Sequence, residues 1–210
     1  MASPPERLER VELAGLSHDQ SLEELELCGD ALPGQRARGV SIKASKLSGV
    51  ALEGSRLEHL RIAASSLVEC NLANLSARAA RLSGVSLRGC RLTGVTLPEA
   101  LISDVTFAAC RIDLASFATA RLERVAFEEC ILAQSDFLEA RLASVTFDGC
   151  ELTGADLRGA RLVRCEFRRC TLGELQGAES LRGAAFEWPA IVEHAALWAR
   201  TLGIEVLEDG

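Results

Sequence analysis

Tyrosine is absent from this 210-residue chain, and aromatic residues make up only 4% of it, as seven Phe and two Trp. A globular core normally uses more large rings. The shortage points to a repeat that admits one side-chain size. Long apolar runs are missing too. No stretch approaches the 18 apolar residues that mark a membrane-spanning helix. Met1–Arg10 is polar, holds Pro4 and Pro5, and has no apolar region of the kind that precedes a secretory cleavage site. The chain is therefore expected in the cytoplasm, with its eight cysteines as reduced thiols. An excess of positive charge is lacking: the net charge is −7, which argues against a generic nucleic-acid binder. No phosphate-cradling glycine motif occurs, and no Ser or Cys nucleophile pairs with His18, His59 or His194 in a recognisable motif. The three histidines read as exposed, and no enzyme is predicted.

What is present is a rule of five. Apolar residues make up 48% and charged residues 25%, enough for the packed core of one domain. From Leu22 to Leu172, the 31 positions whose numbers end in 2 or 7 are Leu, Ile or Phe, except Ala37 and Ala77. Two residues earlier, from Val40 onward, nearly all are small or medium, with Leu60 and Leu75 the large exceptions. A helix needs a period of about 3.6 and a strand a period of 2. Small–x–large–x–x instead places two inward side chains on a short extended side and turns a corner with the next two residues. Glycine recurs there, as at Gly49, Gly84, Gly94 and Gly154.

A second period is visible. Cys70, Cys90, Cys110, Cys130, Cys150 and Cys170 stand 20 apart, as do Phe107, Phe127, Phe147 and Phe167. Phe117 and Phe137 share another column. Arg61, Arg81, Arg121, Arg141 and Arg161 form one more, broken by Leu101. Side chains of one kind therefore stack along an axis.

The unit Ala155-Asp156-Leu157-Arg158-Gly159 is the most literal copy of A-(D/N)-L-x-x, the motif of the pentapeptide-repeat family, which this sequence resembles over about three-quarters of its length. The resemblance implies an all-β solenoid: a right-handed, four-sided β-helix, with four units to each 20-residue turn. About eight coils are expected. Residues 1–21 are expected as an N-terminal cap in shifted register, 22–186 as the β-helix, and 187–210 as a C-terminal cap. In the first segment Leu8, Val11, Leu13 and Leu16 suggest the repeat in another phase, with Ser17–Ser21 absorbing the shift. At the far end Gly177 replaces the large residue, and the phase resumes one residue early with Leu181, Ala184 and Phe186.

Pro189 suits a first helical turn and Gly203 a stop, so one helix is expected from Ala190 to Leu202. Ile191, Ala195, Trp198 and Leu202 would share one face and Val192 another. Ile204 and Val206 would make a short strand. The ending resembles the C-terminal caps of family members that join two rods end to end, so these residues are candidates for a cap and for a homodimer interface.

Three constellations need weighing. The cysteine column places Cα atoms within disulfide range, yet its parallel Cβ vectors suit a bond poorly, and no C-x-x-C or flanking ligand set accompanies it. It reads as small inward filling. The arginine column reads as a solvated face whose charge is compensated by interleaved acids such as Glu123, Glu128, Glu129, Glu139, Asp148 and Glu151. All seven Phe lie at core positions, which leaves no platform for stacking bases.

The best-understood members of the family resemble duplex DNA in width and charge and bind type II topoisomerases. The resemblance thus implies a protein partner, DNA gyrase or topoisomerase IV, with no cofactor and no metal. The uninterrupted register is similar to the loop-free members. Most of the negative charge sits at the ends, however, and residues 22–177 carry 20 acids against 19 bases. Glu23, Glu24, Glu26 and Asp30 in the first coil, and Glu123, Glu128, Glu129, Glu139 and Asp148 further along, are the candidates for an acidic binding surface. A general protein-interaction scaffold fits the flat stacked sides equally well, and a rod that self-assembles through its ends is a third reading.

Overall fold

The computed structural model describes residues 4, 5 and 8–205. The five-residue units wind a four-sided parallel β-solenoid. Every strand pairing from Ser21 to Arg168 joins residues 20 apart, from Leu22 with Ile42 to Phe147 with Phe167. Each coil has a Leu22 side, a Leu27 side, a Leu32 side and an Ala37 side, after the large residues of the first coil. Positions ending in 2 or 7 are buried from Leu22 to Leu172, with Leu162 half-buried, and those ending in 0 or 5 are buried from Val40 to Leu175.

The sides are not equivalent. The Leu22 and Leu27 sides carry short parallel strands, which fuse through the corner into Leu101–Ala108 and Arg121–Glu128. The Leu32 and Ala37 sides meet their neighbours mostly through single bridges, such as Asn71 with Arg91 and Ser76 with Thr96. A tight turn follows: the Leu75 N–H donates to the Leu72 carbonyl at 3.1 Å, and Val95 repeats this on Leu92 at 3.0 Å. Corner residues, numbered in 4 or 9, are left-handed, with φ near 55° at His59, Asn74 and Asp104. Such a backbone costs a side chain about 1–2 kcal/mol. The ladder on either side holds it in place.

The solenoid has about nine turns, one more than expected. Eight full coils are extended by a partial coil at each end. At the N-terminus Glu9 pairs with Leu25, only 16 residues on. The deficit closes gradually through side chains: the Leu13 N–H donates to Asp30 Oδ1 at 3.0 Å, and Leu16 to Gln35 Oε1 at 2.9 Å. Val11, Leu13 and Leu16 pack against the end of the core. The shift is thus absorbed mainly before Ser17.

At the C-terminus Gly177 is left-handed at φ 72°, and a short 3-10 turn, Ala178–Leu181, follows. Ala185 then pairs with Glu166 at an offset of 19. The Phe186 ring lands on Phe167, centroids 4.9 Å apart, and extends the stack of Phe107, Phe127, Phe147 and Phe167. The expected single helix is two: α1 (Trp188–Glu193) and α2 (Ala195–Thr201). His194 separates them at φ −102° and ψ 26°, and its Nε2 donates to the Cys170 carbonyl at 3.2 Å. In earlier coils that carbonyl role is met by the next coil's backbone, as when the Thr171 N–H donates to Cys150. His194 stands in for the missing coil, so it is half-buried and not the exposed histidine expected from sequence. Ile204 lies in no strand, and Val206 falls outside the described residues.

Candidate partner-binding surfaces

The cysteine column is interior architecture. All six thiols are buried and free, and each donates to the carbonyl two residues back, as Cys90 does to Arg88 at 3.5 Å. Hydrogen bonding to the Cys90 thiol, with burial, raises the Cys70 thiol, and burial raises Cys165. No group of three or more His, Cys, Asp or Glu among the described residues is placed to hold a metal ion. A surface hollow of about 600 Å³ is an open trough between corners that includes Ser83, Asp104, Thr106, Arg124 and Thr146. Arg124 closes on Asp104 in two hydrogen bonds, at 2.6 and 2.8 Å, and also pairs with Glu123. Hydrogen bonding to Arg124 holds the Asp104 carboxyl below its ordinary range.

The candidate acidic residues divide into three groups. Asp30 is buried, 9% exposed, and its carboxylate serves the N-terminal segment, so it is not part of an outward surface. Its polar side chain in an otherwise small inward column is the signal that marks it, as it is for Gln35. Glu23 pairs with Lys43, Glu26 with Lys46 at 3.3 Å, Glu123 with Arg124, and Asp148 with Arg169 at 2.7 Å. Glu24, Glu128, Glu129 and Glu139 are exposed, and none forms an ion pair with another described residue. Glu128 and Glu129 stand on the Leu27 side, one coil below Asp148.

The arginine column is not compensated, contrary to the sequence reading. The acids interleave with it along the chain, but a five-residue step moves them around a corner to another side. On the Leu22 side eight basic residues face outward against four acids; the Leu27 side has four against six and the Leu32 side two against four. The near-neutral solenoid is therefore segregated, with one basic side and an acidic excess on the two sides that follow it.

The cap residues divide as well. Ile191 and Trp198 are half-buried, and Trp198 packs on the core together with Leu197. Val192 is 61% exposed and Leu202 75%, and Ala195 is exposed. The break at His194 explains why Ile191, Ala195, Trp198 and Leu202 do not form one buried face. Trp188 and Ile204 add to the exposed apolar surface at this end.

A family model described as the pentapeptide repeat region matches residues 60–137 and 101–177, more than half of the chain. The chain belongs to the pentapeptide-repeat family. No curated protein matches it significantly in sequence. Among solved structures, this pentapeptide-repeat protein is similar to a trypsin-treated variant of QnrB1, a plasmid-mediated fluoroquinolone resistance protein. The match has 18% identity and a TM-score of 0.62, over 91% of this chain and 100% of that one. A second trypsin-treated QnrB1 variant gives 18% identity and a TM-score of 0.61, over 90% and 99%. HetL from the cyanobacterium Nostoc, involved in heterocyst differentiation regulation, gives 16% identity and a TM-score of 0.42, over 80% and 89%. The QnrB1 likeness establishes a shared fold. No described helix is long and apolar enough to cross a membrane.

Proposed function

We propose that this protein is a non-catalytic, cytoplasmic protein-binding rod that engages DNA gyrase or topoisomerase IV as a DNA mimic, modulating the enzyme or protecting it from inhibitors. The observation that carries this reading is the acidic excess on the Leu27 and Leu32 sides, where Glu128 and Glu129, in no ion pair with a described residue, lie beside Asp148. The offset-20 register on those sides runs uninterrupted through the eight full coils, roughly 38 Å at strand spacing. Unpaired exposed carboxylates in a fixed row can stand where phosphates would meet a basic groove. The C-terminal end, with Trp188, Val192, Leu202 and Ile204 exposed, is the surface we assign to a homodimer.

A gyrase supercoiling assay and a topoisomerase IV decatenation assay, each with and without a fluoroquinolone, test the main reading. Inhibition or drug protection at low micromolar protein is expected, weakened about tenfold by E128Q/E129Q. No effect of the parent protein on either enzyme would leave the alternative, a general interaction scaffold, which the basic Leu22 side favours.

A further inference from the structure

Arg61, Arg81, Arg121, Arg141 and Arg161 hold the same register on successive strands of the Leu22 side, with Leu101 in the intervening place. At strand spacing the row is roughly 24 Å long. All six side chains are exposed. None of the five guanidiniums has an ion pair or hydrogen bond with another described residue. The acids nearest in sequence are Glu123, which is occupied by Arg124, and Glu139, which lies on the preceding corner and forms no ion pair with a described residue. Like charges set side by side on neighbouring strands weaken a sheet. The row therefore does nothing for the rod in isolation, and it presents donor forks at fixed intervals.

We propose that this row docks an acidic helix of a partner protein, one that carries an apolar residue among its carboxylates. Two observations choose this occupant. The first is spacing. Carboxylates three and four residues apart on one helix face rise about 5.4 Å per turn, against about 4.8 Å per coil here. The mismatch accumulates to only about 3 Å along the row, within the reach of an arginine side chain. The second is Leu101, 40% exposed in the middle of the row. An apolar contact ringed by charge is the arrangement of an interface anchor. A phosphate backbone has no use for it, and the net charge of −7 opposes a nucleic acid at long range. This surface is separate from the acidic sides assigned to the topoisomerase, so either can fail alone.

The test is fluorescence anisotropy with the full chain at low salt. The probe is a labelled alanine-based helical peptide of about 20 residues, with Glu at alternating spacings of three and four along one face and one central Leu. Saturable binding is expected, with affinity falling as salt rises. R81Q/R121Q/R141Q should weaken binding at least tenfold while leaving thermal stability equal or higher, because like-charge repulsion is relieved. L101S should weaken it about threefold to tenfold, and E128Q/E129Q should leave it unchanged. R81K/R121K/R141K, which keeps the charge and loses the fork, should fall between parent and glutamine variant. Absence of peptide binding, indifference to the glutamine variant, or tighter binding of a labelled single-stranded oligonucleotide through the same arginines would each overturn the proposal.

Discussion

The Trp198 indole meets the Phe186 ring edge-on, with centroids 5.2 Å apart and planes at 66°, and so ends the phenyl stack that starts at Phe107. Its Nε1–H donates to the Ile191 carbonyl at 3.1 Å, which ties α2 back to α1. One side chain thus closes the apolar column and holds the cap's two pieces together. Trp198→Ala should cost about 2 kcal/mol, below the 3–5 of a fully buried aromatic because the side chain is half-exposed. Trp188→Ala, at a position 76% exposed, should cost less than about 0.5 kcal/mol. Thermal unfolding of the two variants, with hydrogen exchange of residues 185–201, checks the contrast.

His194 satisfies the Cys170 carbonyl, which has no further coil above it. His194→Ala should cost about 1 kcal/mol and His194→Gln less, since an amide can still donate. Faster amide exchange in α1 and α2, with the central coils unchanged, is the expected pattern.

Gly177 allows the register slip that starts the C-terminal cap. A Cβ there would lie 2.6 Å from the Arg158 Cα and 2.7 Å from the Leu157 carbonyl carbon, on a backbone already at φ 72°. Both partners are backbone and cannot swing aside. Gly177→Ala should therefore cost more than about 2 kcal/mol. Gly183→Ala, also left-handed but with open space around it, should cost about 1 kcal/mol. Denaturant midpoints of the two variants give the ranking.

Thiol chemistry reports on the interior. Cys28 is half-exposed, and the other seven cysteines are buried. Burial raises Cys165 further from its reactive thiolate form. In native protein a thiol reagent should modify one cysteine rapidly, and Cys28→Ser should abolish that phase. The remaining seven should react only on unfolding. Rapid modification of several thiols would mean that the column opens far more easily than its packing implies.

The coil itself was legible residue by residue. The period of five requires one large and one small inward side chain per side. The period of 20 in Cys, Phe and Arg fixes four sides per turn, because identical side chains stack only when their coils are in register. Phe186, one residue early, gave away the C-terminal slip.

Features that depend on distances across the chain emerge only in the folded molecule. His194 reads as surface in sequence because nothing local reveals an unsatisfied carbonyl 24 residues earlier. Asp30 reads as part of an acidic coil, yet it holds the N-terminal segment from inside. The arginine column reads as compensated, since carboxylates alternate with it along the chain. Each corner turns those carboxylates to another side, and screening in water depends on separation in space. The order of residues along the chain sets a four-sided rod of stacked columns. Only folding determined that one side of this nearly neutral rod is basic, because the corners sort charges that the chain order mixes.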